Sequence, residues 1–263
     1  MKVERIYGRR SQMMMSFREA HEESARALPP SLIVNDAPTV RRLKDLEPVL
    51  YDASVCGDLG PELPLYTIYR TLWTDDEERS ALERHGLRYD VTDMPSLLLG
   101  EEHVKTFGHE HLDWGAWSHP ELFEILQGEA RFLLQRYHGE EVVDVLVVVA
   151  REGDVVLVPP RCGHVMINAS PNRLIVGNLI SRYCVQIYRR FIERRGGAYY
   201  LLRGGRLVRN ENYSSLPEAR TINAEPSDFT EKGLGLLASF ARRPELFRFL
   251  NGLYDSPQYS RSG

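Results

Sequence analysis

The chain has 263 residues, of which 43% are hydrophobic, and a formal net charge of −4. This length and composition suit one well-cored domain with appendages. The slightly acidic balance gives no overall attraction to nucleic acid, and no apolar run reaches the roughly 18 residues that a membrane helix needs, so neither partner is expected. Three widely spaced cysteines without a Cys-x-x-Cys pair argue against disulfides and a zinc knuckle, and they favour a reducing, cytoplasmic location.

The N-terminal part, residues 1–39, is predicted to be an extension outside the core. Within it, a short helix is expected over residues 16–28, where two prolines follow. From Val40 onward we expect a short helix and then extended chain, because Pro48 interrupts the helical spacing. An alternating pattern predicts a strand over residues 65–73, an exposed turn or short helix comes next, and a second strand is expected over residues 87–95.

From residue 96 onward, short apolar or alternating runs recur at regular spacing, with glycine or proline in most of the gaps. Strands are expected at residues 96–99, 104–111, 121–126, 130–135, 142–150, 155–158, 164–168 and 174–180. This spacing is typical of an antiparallel sandwich or barrel. No glycine-rich turn joins a strand to a helix, which excludes the Rossmann and P-loop folds.

Helical patterns return after the predicted strands. Residues 183–197 carry apolar side chains on one helical side and end at a Gly-Gly cap; a hairpin with a second Gly-Gly turn follows. Residues 214–263 are predicted to form a C-terminal helical tail, with one helix capped near Ser227 and another begun by Pro244. The expected organisation is an all-β domain over residues 40–213 with helical appendages at both ends.

A His-x-His pair, His109 and His111, ends one of the predicted strands. Residues two apart on a strand point the same way, so both imidazoles can reach one point. Glu121 begins the next strand and His164 comes from a strand elsewhere in the sheet, and both can join the pair inside a barrel. Three nitrogen ligands and one oxygen ligand suit one divalent transition metal ion (Fe, Mn, Ni, Co or Zn), and the spacing does not choose among them.

Five other side chains are potential ligands by residue type. His103 and His119 fall in predicted turns. By strand parity, Glu110 points away from the histidine pair, and Glu124 points to the side of the strand opposite to Glu121. All four are expected on the solvated surface, and Cys162 is expected to be a small buried thiol.

The spacing around these residues resembles the two cupin motifs. Gly128 follows Glu121 at the interval of an E-x6-G motif, and the interval from Gly153 to Pro159 matches the G-x5-P run that precedes the third histidine. Asn168 stands four residues after that histidine, as in the motif. The resemblance implies a cupin barrel, that is, a double-stranded β-helix or jelly roll, with the three histidines and the glutamate as metal ligands.

A more specific resemblance covers residues 100–111, GEEHVKTFGHEH. This run is similar to the G-x-E-x3-T-x-G-H-x-H motif of the archaeal-type, cupin phosphoglucose isomerases, also called glucose-6-phosphate isomerases. An E-x-aromatic pair follows at Glu121 and Phe123, and the resemblance extends from about Val40 to Tyr213. It implies a cytoplasmic homodimer of glycolysis and gluconeogenesis, in which a metal-dependent proton transfer through an enediolate interconverts glucose 6-phosphate and fructose 6-phosphate.

The resemblance also assigns roles by matched position. It implies that the sugar-phosphate contacts are Tyr66, Thr92, Thr106 and Gly108. The catalytic role is expected for Glu121 on chemical grounds, because a carboxylate near the metal ion can act as a base. Strand parity alone directs Thr106 away from the histidine pair unless Gly108 forms a bulge, which glycine permits.

Three departures from the family pattern affect the expected pocket. Phe123 replaces a tyrosine, the strand that ends at Ile180 lacks an expected tyrosine, and the His-x-Tyr sequence that follows is shortened to Ser181-Arg182-Tyr183. Three alternatives therefore accompany the isomerase: a non-catalytic sugar-phosphate sensor, another sugar isomerase such as a phosphomannose or pentose isomerase, and an iron dioxygenase. For the isomerase itself, a base other than Glu121 and a hydride shift are both open, because a metal-bound carboxylate is a weak base.

Overall fold

The computed structural model describes residues 31–33, 37–114 and 117–252. The helix predicted over residues 16–28 lies outside these ranges. Every element described below belongs to the compact unit that begins at Val34. Among the described residues, no helix combines the length and the apolar character needed to cross a membrane.

Strands make up most of the unit that begins at Val34. In chain order they are β1 (Thr39–Arg42), β2 (Pro64–Tyr69), β3 (Leu87–Met94), β4 (Leu98–Leu99), β5 (Glu102–His103), β6 (Glu110–His111), β7 (Asp113–Trp114), β8 (Trp117–Ser118), β9 (Glu121–Gln127), β10 (Glu129–His138), β11 (Glu141–Arg151), β12 (Val155–Val158), β13 (Cys162–Ile167), β14 (Leu174–Ser181), β15 (Gln186–Ile187), β16 (Tyr199–Leu202), β17 (Arg206–Arg209) and β18 (Arg220–Asn223). The α-helices are α1 (Leu43–Leu46), α2 (Val55–Leu59), α3 (Asp76–His85), α4 (Arg189–Glu193) and α5 (Leu236–Arg242), and 3-10 helices cover Glu47–Val49, Arg203–Gly205 and Pro244–Asn251.

Two sheets carry the core. One has the order β1-β2-β3-β14-β9-β12 and the other the order β13-β10-β11-β18, and short two- and four-stranded pieces complete the described strands. All pairs within the two sheets are antiparallel except β11 with β18. The described strands form separate sheets, as in a double-sheet jelly roll, rather than one closed hydrogen-bonded ring. The predicted all-β core is confirmed.

The predicted order of elements near residue 40 is wrong. Extended chain comes first, because β1 pairs along β2 from Thr39 with Ile68 to Arg42 with Pro64, and α1 follows it. The segment over residues 74–86 forms the helix α3. The Asp75 carboxylate accepts the Glu78 N–H at 2.9 Å at its start, and Gly86 ends it with φ of 62°.

Two helices predicted farther along the chain are shorter than expected. Residues 183–197 form only the five-residue α4, because Gln186 and Ile187 pair with β6 instead. Of the apolar side predicted there, Phe191 is buried but Tyr183 is 66% exposed. In the C-terminal tail, α5 begins after Gly235 rather than at Ser227, and β18 forms where no strand was predicted.

Candidate metal centre

The segment before β6 lies along β13 and brings two histidine rings close together. The His109 N–H donates to the His164 carbonyl at 3.2 Å, the His164 N–H donates to the His109 carbonyl at 2.9 Å, and the ring centroids are 4.3 Å apart. Gly108 has φ of 84°, and a Cβ there would lie 2.6 Å from the Phe191 ring. This glycine interrupts the strand predicted over residues 104–111, which is regular only in β6.

All four predicted ligands converge on one point. The His109 Nε2 and His111 Nε2 atoms are 3.3 Å apart, and Glu121 Oε2 lies 3.5 Å from His111 Nε2 and 3.4 Å from His164 Nε2. One ligand atom from each residue lies within 4.8 Å of the others. Three imidazole nitrogens and one carboxylate oxygen at this separation are a donor set suited to a divalent transition metal ion.

Buried polar atoms in the cluster lack hydrogen-bond partners, which supports this fit. Glu121 Oε1 accepts from Asn178 Nδ2 at 2.7 Å, but Oε2 has no partner among the described residues. Neither ring nitrogen of His164 has one, although both residues are almost fully buried. Unsatisfied polar atoms are rare in protein interiors, and a bound ion is one of their regular explanations.

The electrostatics of the cluster also favour a cation. Burial lowers the pKa of His109 and of His164, so both imidazoles are neutral and free to ligate. Burial opposes charge on His111 too, but its interactions with the neighbouring Cys184 and Glu121 raise its pKa to about 10. Burial raises the pKa of Glu121, but the neighbouring His111 and His164 imidazoles outweigh this effect and hold the pKa well below its usual range. The carboxylate therefore faces one protonated imidazole, and a divalent ion would take the place of that proton.

A backbone carbonyl fixes which nitrogen of the second histidine of the pair can bind a metal. His111 Nδ1 donates to the backbone carbonyl oxygen of His119 at 2.6 Å, which leaves Nε2 facing the other ligands. Histidines that bind metals usually donate their remaining N–H to a carbonyl or carboxylate in this way.

The four residues predicted to contact a sugar phosphate line the same cavity as His109, Glu121 and His164; they are Tyr66, Thr92, Thr106 and Gly108. Burial raises the pKa of Tyr66 to about 12, and its oxygen accepts the Phe107 N–H at 3.3 Å, so its O–H can donate into the cavity. The Thr106 hydroxyl accepts the Met166 N–H at 3.0 Å. Because Gly108 breaks the strand parity, Thr106 lies on the same side as the histidines. The role of these four residues as substrate contacts stays a prediction.

Three arginines that the sequence reasoning did not single out also line the cavity; they are Arg41, Arg70 and Arg88. Arg88 Nε pairs with Asp90 Oδ2 at 2.9 Å. Arg70 Nη1 donates to the Thr39 hydroxyl at 2.8 Å, and the buried Nε of Arg41 has no hydrogen-bond partner in the described part of the chain. A signal for one of them was present in the sequence, since Arg70 shares strand parity with Tyr66.

The aromatic lining of the cavity differs from the family pattern. Phe123 lies in the cavity wall, with its ring 5.6 Å from that of His164, and it offers no hydroxyl. Tyr183 is on the surface, away from the cavity. A different phenol, that of Tyr188, lines the cavity with its ring 5.6 Å from the His109 ring.

Two of the competing ligands are not on the solvated surface, so that expectation is wrong for them. His119 is buried, with Nδ1 3.0 Å from the Leu250 carbonyl oxygen. Glu124 is buried and accepts the Leu236 N–H at 2.9 Å. The C-terminal tail covers both side chains, which sequence parity cannot reveal.

The other three competing side chains also lie outside the four-residue cluster. Glu110 is half-buried and forms an ion pair with Arg190 at 3.1 Å. His103 is half-buried in β5. Cys162 is the expected buried thiol, and burial raises its pKa to about 12.

The chain is similar to several known proteins. Among solved structures, the chain is similar to an oxalate oxidase (14% identity, TM-score 0.34, 47% of this chain and 54% of that one), to oxalate decarboxylase from Bacillus subtilis (16%, 0.32, 46% and 28%) and to an RmlC-like cupin from Shewanella frigidimarina (15%, 0.27, 43% and 73%). The chain thus spans about half the length of that oxalate oxidase chain. No curated protein matches it. The sequence model of the family described as glucose-6-phosphate isomerase (GPI) matches residues 40–218, more than half of the chain. The chain therefore belongs to the glucose-6-phosphate isomerase family, in its archaeal-type, cupin form.

Proposed function

We propose that this protein is a metal-dependent isomerase that interconverts glucose 6-phosphate and fructose 6-phosphate. The observation that carries the proposal is the convergence of His109, His111, Glu121 and His164 beside a cavity whose wall also bears three arginines. Membership of the family supports the same activity. A hexose phosphate matches such a cavity because it has oxygen ligands for a metal at one end and a dianionic phosphate at the other.

Arg41 and Arg70 are the proposed phosphate-binding residues, together with the O–H of Tyr66. Both residues are half-buried, and neither forms an ion pair with a carboxylate among the described residues. A phosphate carries a charge of about −1.5 to −2 near neutral pH. Arg70 directly follows β2, and Glu121 lies on β9, three strand spacings away. At about 4.8 Å per spacing, the two backbones are about 14 Å apart. This separation supports a substrate whose phosphate is remote from its reacting carbons.

A divalent ion held by the four ligands would act as a Lewis acid toward the sugar carbonyl and its neighbouring hydroxyl. Glu121, whose Oε2 is otherwise unpartnered, is the proposed carrier of the proton between C2 and C1 through an enediolate. Its lowered pKa makes it a weak base. Asp90 is the alternative carrier, since it lines the cavity and burial raises its pKa, and a hydride shift would need neither residue.

The test is to measure metal content and isomerisation of glucose 6-phosphate before and after chelation, with Mn, Fe, Co, Ni and Zn added back separately. We expect chelation to abolish turnover and at least one metal to restore it. The variant His164→Ala should lose both metal and turnover, whereas His138→Ala, which removes an exposed histidine outside the cluster, should keep both. Absence of turnover with all five metals would contradict the proposal.

A sugar-phosphate sensor is the second candidate, and one observation favours it. Phe123 offers no hydroxyl in the cavity wall and Tyr183 is on the surface, so two groups expected of the family are missing. The sensor predicts binding of glucose 6-phosphate without turnover, whereas an iron dioxygenase predicts oxygen uptake. For the isomerase, uptake of deuterium from solvent at C2 distinguishes proton transfer from a hydride shift.

A further inference from the structure

The last part of the described chain folds back onto the domain as a C-terminal clamp, defined here as residues 236–251. It comprises α5 and the 3-10 helix Pro244–Asn251, and it lies beyond the family match, which ends at residue 218. Phe240, Phe247 and Leu250 of the clamp are buried. The Phe240 ring lies 5.4 Å from that of Phe247 and 5.9 Å from that of His85 in α3. The clamp is thus packed as part of the domain.

Two polar contacts join the clamp to the start of β9. The Leu236 N–H, at the beginning of α5, donates to the buried carboxylate of Glu124 at 2.9 Å. The Leu250 carbonyl oxygen, near the other end of the clamp, lies 3.0 Å from Nδ1 of the buried His119. Because a carbonyl only accepts, Nδ1 of His119 carries the proton. These contacts reach the chain on either side of Glu121, at distances of two and three residues.

His119 also contacts one of the four predicted metal ligands, His111. The backbone carbonyl oxygen of His119 accepts the Nδ1 proton of His111 at 2.6 Å, and the Ser118 hydroxyl donates to the His111 carbonyl at 3.3 Å. A path of hydrogen bonds therefore runs from Leu250 through both the ring and the backbone of His119 to the imidazole of His111. Displacement of the His119 backbone would rotate or release that imidazole.

We propose that the C-terminal clamp orients His111 for metal binding, with His119 as the positioning residue that transmits its contact. Docking of the clamp fixes the carbonyl that accepts from His111 Nδ1, so docking and metal affinity are coupled. By linkage, metal binding must then stabilise the docked clamp by the same free energy. The inference depends on the metal centre of the proposed function but not on isomerase activity.

The first test measures Co²⁺ affinity and the visible absorption of bound Co²⁺ in the full chain. His119→Phe keeps a ring and the carbonyl that accepts from His111 but cannot donate to Leu250. We expect about 10-fold weaker affinity, the lower end of the effect of losing a hydrogen bond directly behind a metal ligand, with a changed spectrum. His119→Gln retains an N–H donor and should restore most of the affinity and the spectrum. His138→Phe, a histidine-to-phenylalanine change at an exposed site, should match the wild type. Wild-type affinity in a folded His119→Phe variant would overturn the proposal.

The second test uses the unmodified protein and so does not depend on any variant folding. Amide hydrogen exchange is followed across residues 236–251 with and without Co²⁺. Slower exchange in the Co²⁺-bound protein is expected, whereas exchange that Co²⁺ leaves unchanged would overturn the coupling. Failure of the wild type to bind Co²⁺ would overturn the metal centre and this inference together. Loss of isomerase activity alone, with Co²⁺ binding intact, would overturn only the proposed function.

Discussion

Replacement of Gly108 by alanine tests how the fold brings His109 to His164. The added Cβ would lie 2.6 Å from the Phe191 ring and 2.8 Å from Val165 Cγ2, closer than real Cβ atoms approach. The alanine at position 108 would also have to keep a φ of 84°, a backbone conformation that is strained for a residue with a side chain. Removing either the clash or the backbone strain would move the peptide that carries His109. We therefore expect the variant to have a lower free energy of unfolding and a lower metal affinity.

The magnitude follows from the two costs. Left-handed backbone costs about 1–2 kcal/mol for a residue with a Cβ, and an overpacked core costs about 1–3 kcal/mol. Together they predict a loss of about 2–5 kcal/mol in the free energy of unfolding. For a domain of this size, each kcal/mol lowers Tm by about 2–4 °C, so the expected decrease is about 4–20 °C.

Gly139→Ala is the matched control for this change. Gly139 also has positive φ, of 60°, but a Cβ there meets nothing within 4 Å, so only the backbone cost of about 1–2 kcal/mol applies. Thermal unfolding of metal-free protein and Co²⁺ titration are measured for both variants. If Gly108→Ala loses no more stability than Gly139→Ala and binds Co²⁺ like the wild type, the argument that Gly108 shapes the site is refuted.

Three further predictions concern the cavity. Arg41→Ala and Arg70→Ala should each raise KM for glucose 6-phosphate about 10- to 100-fold in steady-state kinetics, since hydrogen bonds to charged groups contribute about 1.5–3 kcal/mol; the exposed Arg203→Ala is the control, and an unchanged KM would contradict the phosphate assignment. Metal binding at pH 8 should release about one proton, because His111, with a pKa of about 10, is protonated there and must lose its proton to ligate. Apparent affinity should therefore rise with pH below about 10, which calorimetry in buffers of different ionisation enthalpy checks, and binding without proton release would refute it. Asp90→Asn should retain turnover if Glu121 carries the proton and should abolish it if Asp90 does.

The ligand cluster was predictable because it depends on local rules. His109 and His111 are two residues apart, so extended chain directs both to one side. Glu121 and His164 stand at intervals typical of the cupin motifs, and the family match over residues 40–218 confirms that resemblance. Spacing along the chain was enough here, because each of these residues lies in or beside a strand whose register is fixed by the buried face of a sheet.

The cavity arginines were missed because a strand pattern shows on which side of the sheet a residue lies but not what covers that side. Arg70 lies on the same side of its predicted strand as Tyr66, and this placement fits an arginine in solvent as well as one in a cavity. The environment of Glu124 was mistaken for the same reason. Its contact with Leu236 joins residues 112 positions apart, and no local pattern encodes that approach.

The missing family tyrosines are one argument against turnover, and the position of Tyr188 weakens it. The pairing of Gln186 with His111 is the same contact that replaced the helix expected over residues 183–197, and it holds the following residues against the segment that carries the histidine pair. The Tyr188 ring consequently lies 5.6 Å from that of His109, and its O–H donates to Gln186 Oε1 at 2.6 Å. A phenol thus remains beside the cluster, supplied by a different element. The cavity has therefore lost a hydroxyl at Phe123 but has one at Tyr188. The absence of a tyrosine at position 123 is not by itself a reason to exclude catalysis.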